Sequence, residues 1–381
     1  MPVILLTLIF ARPFISSLAF PYLNFIYSAL LFAVAFIWLV IKRPTLKFNK
    51  VAEYPLILFI LTLLVSVIFS RDKITSANEL YKYLSAVLLF IISASFSEEE
   101  RNKIIFYIVV AATTISLLAI YQYFFGFRHV LDYLSRENIG KEPNEFLYDY
   151  INGRRVFFPF VTPNILGGYL AMVIPLTLTQ KYRLWLIVPL CCALLLTKSL
   201  GALLSIFLGL TIYLYLKGNL SKRNIIFLAG LLIIIVGVLI SRQVMQKSHT
   251  QPVFSAIMRF NYWRDTLRII KAHFWTGVGL GNFNLIQSRY AHNSYLQIWA
   301  ESGISGIVSI LWLIIIVFKG SLKNLRNTAH NTQIVALITA NAVFLIHNFI
   351  DFTFFLPEIS LIWWIILGLT LGLPRTIPKE I

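Results

Sequence analysis

Apolar residues run along this chain in long unbroken stretches separated by short polar interludes. The stretches fall at about residues 2–20, 22–41, 54–70, 79–96, 103–125, 164–180, 184–198, 200–216, 224–241, 294–318, 332–350 and 353–373. Most are roughly 17–25 residues long, the length a helix needs to cross a bilayer, and they lack the alternation of barrel strands. In lipid only helices and closed barrels satisfy every backbone group. The pattern predicts an all-α polytopic membrane protein of about 12 transmembrane helices, forming one integral membrane domain over residues 1–381. Residues 2–20 read as a retained first helix rather than a cleaved leader. Arg12 and Pro13 interrupt the apolar run, and no small-x-small cleavage site follows.

Composition agrees with this picture. Of 381 residues, 58% are hydrophobic and 13% charged, about half the roughly 25% charged share that covers a soluble domain. A net charge of +17 would point to nucleic acid in a soluble protein. Here the cations lie between apolar runs, with no basic repeat interleaved with stacking aromatics, so no nucleic-acid partner is expected. Cys191 and Cys192 are adjacent inside an apolar run, which suits neither a disulfide framework nor a metal site. No acidic or His/Cys spacing suggests a metal, and no cofactor is expected.

The placement of charge gives a topology. With the N-terminus inside, Lys42, Arg43, Lys47, Arg101, Lys181, Arg183, Lys217, Lys222, Lys319, Arg326, Arg375 and Lys379 all fall at inner helix ends, where the positive-inside rule applies. Long loops cross largely regardless of charge. Two such segments are left facing outward, a first periplasmic loop over 126–163 and a larger one over 242–293.

These loops hold the candidate chemistry. In the second, an amphipathic helix around Ile257–Phe274 has Ile257, Phe260, Trp263, Leu267 and Ile270 on one face. Arg264, Arg268 and Lys271 lie together on one flank, suited to anionic lipid headgroups. Arg259 stands apart, suited to a specific anion. Gly277, Gly279 and Gly281 read as a turn, since no strand precedes them as a dinucleotide fingerprint requires. His292 sits where the loop meets a span. Asn293, Gln297 and Glu301 follow at every fourth residue, a polar stripe on one helix face, and Gly303 and Gly306 would let a neighbouring helix approach. Ionisable groups in a span suggest function, yet His292 suits a general base and a capping role alike. In the first loop, Arg154 and Arg155 precede Pro163-Asn164, where Asn164 reads as a helix N-cap. Arginine suits bidentate phosphate contact. His347 and Asp351, four residues apart, read as a structural pair.

Several of these stretches resemble the O-antigen ligase and O-antigen polymerase superfamily. His292-Asn293 is followed, after nine residues, by Gly303-x-x-Gly306. Arg155 precedes Asn164 by nine residues; Arg259-x-x-x-Trp263 precedes Gly277-Val-Gly279; His347-x-x-x-Asp351 precedes Pro357. The resemblance covers roughly residues 150–360. One departure is that the family's Thr-x-Ser-Arg-Gly reads Thr197-Lys-Ser-Leu-Gly201, with Leu200 for the arginine and Lys198 close by.

The resemblance implies a GT-C-like membrane glycosyltransferase of the bacterial inner membrane, with cytoplasmic termini and a periplasmic active site. Its donor would be undecaprenyl-pyrophosphate-linked glycan and its acceptor lipid A-core. His292 would be the catalytic base, and Arg155 and Arg259, with Arg154, would bind the pyrophosphate. Asn293, Gln297, Glu301, Gly303 and Gly306 would support them. A polymerase would use the same donor, but the His292–Gly306 pattern matches the ligase form. A lipid or glycan transporter would call for inverted repeats or broken mid-membrane helices, of which the chain displays little.

Overall fold

The apolar runs fold as helices in a computed structural model that describes residues 3–42, 50–136, 145–245, 251–327 and 331–373. In chain order they are α1 (Val3–Ala11), α2 (Pro21–Lys42), α3 (Lys50–Ile68), α4 (Lys73–Ala94), α5 (Glu98–Tyr121), α6 (Phe127–Arg136), α7 (Glu145–Asn152), α8 (Pro163–Thr177), α9 (Arg183–Thr197), α10 (Leu200–Leu216), α11 (Lys222–Met245), α12 (Pro252–Ala272), α13 (Ser294–Asn327), α14 (Thr332–His347) and α15 (Pro357–Leu371). Among the described residues there is no strand. Among the described residues, four stretches are long and apolar enough to cross a membrane, namely α2, the α5–α6 rod, α11 and α13. Several others are apolar but shorter. A 15-residue helix such as α8 spans about 22 Å at 1.5 Å per residue.

Burial sorts the helices into inner and outer. α14 and α15 are apolar all round and buried, with Val335, Val343, Trp363, Trp364 and Ile366 nearly inaccessible. Such helices belong at the centre of a bundle. Around them α15 packs on α4, α14 on α8 and α10, and α13 on α3. By contrast α11 leaves Ile226, Ile233 and Ile240 exposed, an apolar surface that lipid would cover.

Side-chain bonds define two ends of the bundle. At one end Arg101 donates to the Gly372 carbonyl (2.6 Å), Lys217 to Thr332 (2.7 Å) and Gln333 to Asn102 (2.6 Å). At the opposite end of α5, Gln122 Oε1 accepts from the Phe157 and Phe158 amides at 2.8 and 3.0 Å. There the segment around Arg155 reaches Thr197, and the start of α13 bonds to Asn348. The two cationic segments therefore meet at one end. The chain termini and the flanking cations Arg43, Lys47, Arg375 and Lys379 lie outside the described residues.

Two expected helices are interrupted. The run 2–20 leaves α-helix at Ala11 and turns through Arg12–Phe14, because Pro13 lacks a donor for the next helical bond. The buried Arg12 guanidinium donates to Asn24 and to the Ile15 carbonyl and lies 3.8 Å from Glu358, tying α2 and α15 to the turn. Helix α13 breaks at Gly303, whose φ of 72° and ψ of −177° are not helical.

Candidate active site

Arg155 is held before its chemistry is considered. The Val156 amide bonds to the Leu196 carbonyl (3.2 Å), laying this segment along the end of α9. Arg155 Nε then donates to the Thr197 carbonyl (3.0 Å), Nη2 donates to Asn164 Oδ1 (3.0 Å), and the guanidinium lies over the Tyr150 ring. Asn164 is thus no helix cap. Thr162 caps α8 by accepting from the Ile165 amide, which leaves the Asn164 amide group free to orient the arginine.

Three further cations converge here. Lys198, at a left-handed φ of 50°, donates from Nζ to the Gly153 carbonyl (2.8 Å), and its own carbonyl accepts from Arg242 (3.2 Å). Burial, then Arg242, holds Arg155 down to about 9, with the Tyr150 phenol opposing and Arg259 adding. Lys198 is lowered by burial and then by Arg155, Arg154 and Arg242. Each cation disfavours the charge of its neighbours, and an anion set among them would relieve that repulsion. Arg154 turns outward from this group. It is exposed and lies over the Tyr123 ring, donating to the Tyr123 carbonyl at 3.1 Å.

Helix α12 brings Arg259 to His292. Arg259 Nη1 donates to Ser255 (2.7 Å), while its Nε is buried with no partner among the described residues. One turn later, Tyr262 stacks on the His292 ring and Trp263 Nε1 donates to the His292 carbonyl at 3.3 Å. Phe352 meets the ring edge-on at 4.8 Å. His292 Nδ1 is buried with no partner among the described residues. Burial pushes the imidazole down to about 4, with Asp351 opposing and Arg259 adding. At neutral pH the ring is uncharged and able to accept a proton. Arg264 and Arg268 sit on the exposed flank and share Asp265 at 3.7 and 2.8 Å.

Backbone conformation marks the same place. Among the described residues Arg154, Lys198 and His292 are the non-glycine residues with positive φ, a conformation that costs of order 1–3 kcal/mol and collects at functional sites.

The polar stripe on α13 supports this arrangement. Asn293 caps the helix by accepting from the Leu296 amide (3.1 Å). Gln297 accepts from the Ala291 amide (3.1 Å), next to His292, and donates to Glu301 (2.9 Å). Glu301 accepts from the Gly281 amide (3.0 Å), and its carbonyl accepts from Gly279 (3.1 Å). The glycine-run amides at 279 and 281 are thus occupied by α13, as in a turn, and are not turned toward a phosphate. Gly306 does face a helix, with Thr62 of α3 against it. Gly303 instead admits a loop, since a Cβ there would lie 2.0 Å from the Trp275 carbonyl. His347 and Asp351 are both buried, 3.5 Å apart, with the His347 ring against Gly168.

Sequence reasoning passed over Arg242 and left Lys198 open. A lone cation ending the apolar run 224–241, and a lysine in Thr197-Lys-Ser-Leu-Gly201, were the available signals.

A family model described as O-antigen ligase matches residues 185–311, from α9 into α13. Over this stretch, about a third of the chain, the sequence is similar to the O-antigen ligase family. Lys198, Arg242, Arg259 and the whole of His292–Gly306 lie in the matched stretch, while Arg155, His347 and Asp351 reach it from flanking segments. The family supports glycosyl transfer of the O-antigen ligase or polymerase type, with lipid-linked substrates in a membrane. No curated protein matches the chain.

Proposed function

We propose that this protein is an O-antigen ligase that moves polysaccharide from undecaprenyl pyrophosphate to lipid A-core, without metal, at the periplasmic face of the bacterial inner membrane. The observation that carries this reading is the convergence of Arg155, Lys198, Arg242 and Arg259 near the buried His292. The donor pyrophosphate lies on the cations, Arg155 and Arg259 foremost, with Arg154 at the outer rim. An acceptor hydroxyl attacks the anomeric carbon as the bond to the pyrophosphate oxygen breaks. The hydroxyl proton passes to His292, and the bonding electrons leave with the pyrophosphate, whose charge the arginines stabilise. A positioned base contributes about 10²–10⁴-fold, and prearranged charge in a water-poor site several kcal/mol. Both substrates are lipid-anchored, which suits a site at one end of a helical bundle.

Deleting the gene in its host tests the reading. A ligase leaves long polymer on the lipid carrier and lipid A-core without it. Polymer missing from the carrier, with single units joined to lipid A-core, would mark a polymerase instead.

A further inference from the structure

Helix α12 is fastened at both ends to the end of the bundle that holds the arginines. It begins at Pro252, soon after α11 stops at Met245, and α11 reaches the site there through Arg242. Beyond its other end the Ile304 amide donates to the Phe274 carbonyl (3.0 Å). Close by, the Glu301 carbonyl accepts from Ser66, near the end of α3 (2.8 Å). The helix therefore runs across the end of the bundle for about 31 Å, at 1.5 Å for each of its 21 residues. Its inner side is taken up by the site, with Tyr262 and Trp263 on His292 and with Thr266 and Ile270 buried. The apolar face expected from periodicity is thus divided: Trp263 and Ile270 turn inward, while Ile257, Phe260 and Leu267 stay exposed.

The outer side is one strip that changes character along its length. At 100° per residue, Val253, Ile257, Phe260, Arg264, Leu267 and Lys271 fall within about 80° of one another, with Arg268 beside them. Val253, Ile257 and Phe260 come first, each more than half exposed. Arg264, Arg268 and Lys271 follow, all exposed, against a single carboxylate on the helix, Asp265. Trp275, just past the helix, is three-quarters exposed. The apolar part continues the surface of α11, whose last turns leave Ile240 and Val244 exposed. Such a strip suits the boundary of a bilayer. Its apolar side chains enter the acyl layer, long basic side chains reach up to the phosphates, and tryptophan sits at headgroup level. The net positive charge of its second half favours anionic headgroups over zwitterionic ones.

We propose that the outer strip of α12 is a binding surface for anionic phospholipid, which seats the helix carrying Arg259 on the membrane. The proposal does not depend on the transferase reading. Its test reads lipid contact directly. In the full chain, with Cys191→Ala and Cys192→Ala removing the native thiols, Phe260→Cys carries a fluorophore in vesicles of phosphatidylcholine and phosphatidylglycerol. Bromine on the acyl chains of one lipid or the other quenches the probe. Both lipids should quench. At equal mole fraction, phosphatidylglycerol should behave as at least about fivefold more concentrated at the probe, roughly the factor one cation supplies at an anionic surface. Arg264→Gln/Arg268→Gln/Lys271→Gln should lose the preference and keep the quenching, while Arg264→Lys/Arg268→Lys should keep both. Quenching by neither lipid, as expected if water or a second copy covers the strip, overturns the proposal. Equal quenching by both lipids in the parent, or a preference that survives the triple exchange, overturns it as well.

Discussion

The Tyr262 ring lies 5.7 Å from that of His292 and 21° from parallel, one helical turn beyond Arg259. A single helix thus supports the proposed base and carries one of the proposed pyrophosphate cations, so their separation is set by helix geometry rather than by loop conformation. That linkage is the reason the substitutions below are expected to differ sharply between neighbouring arginines.

Arg155→Ala and Arg259→Ala are expected to lower kcat about 10²-fold or more, the usual loss when one prearranged charge partner is removed. Arg264→Ala and Arg268→Ala should change it less than about threefold, because exposed pairs like those with Asp265 contribute about 0–1 kcal/mol. Arg259→Lys should also be impaired, a point ammonium being unable to reproduce the bidentate fork. With the charge supplied by the chain, transfer by purified protein should persist in excess EDTA. Equal losses across the four alanine variants would indicate a diffuse electrostatic role.

The pH profile should carry an acid limb. Burial holds His292 near about 4 in the free protein, and a protonated imidazole cannot accept the hydroxyl proton, so activity falls as pH falls through that value. Bound pyrophosphate offsets Arg259, which opposes protonation, and so raises the imidazole. The limb of kcat/KM, reporting free protein, should therefore lie below the limb of kcat, reporting the complex. Steady-state rates from about pH 3 to 8 check this, and identical limbs near the ordinary histidine value of about 6.5 would contradict it.

Gly303→Ala should lower the melting temperature in detergent by several degrees. The backbone at φ 72° and ψ −177° is open essentially to glycine alone and costs an L-residue of order 1–3 kcal/mol, and the added carbon would meet the Trp275 backbone. Gly230→Ala and Gly237→Ala on α11, with nothing near, should be neutral or slightly stabilising. Intrinsic-fluorescence melts compare them, and equal stability of all three variants would refute the tight approach at Gly303.

The all-helical, membrane-spanning character was legible in sequence because apolar run length reports directly on helices in lipid. The position of Arg259 off the Arg264/Arg268 flank was read from helical periodicity alone. What could not be read depends on chain reversals. Whether Asn164 caps a helix or grips Arg155 turns on Thr162 taking the cap. Whether Gly303 admits a helix or a loop turns on where Trp275 passes. Arg242 looked like the first residue of a loop, and only the fold brings α11 to the end of α9.

The most direct test of the account is transfer by His292 variants in proteoliposomes, scored beside donor binding and melting temperature. His292→Ala and His292→Asn should both lose about 10²–10⁴-fold in transfer while remaining folded and binding donor near normally. Asparagine retains a hydrogen-bonding side chain and tolerates the left-handed conformation, so a purely capping histidine would survive that exchange. A folded His292→Asn protein that transfers glycan at a substantial fraction of the parent rate would contradict the account.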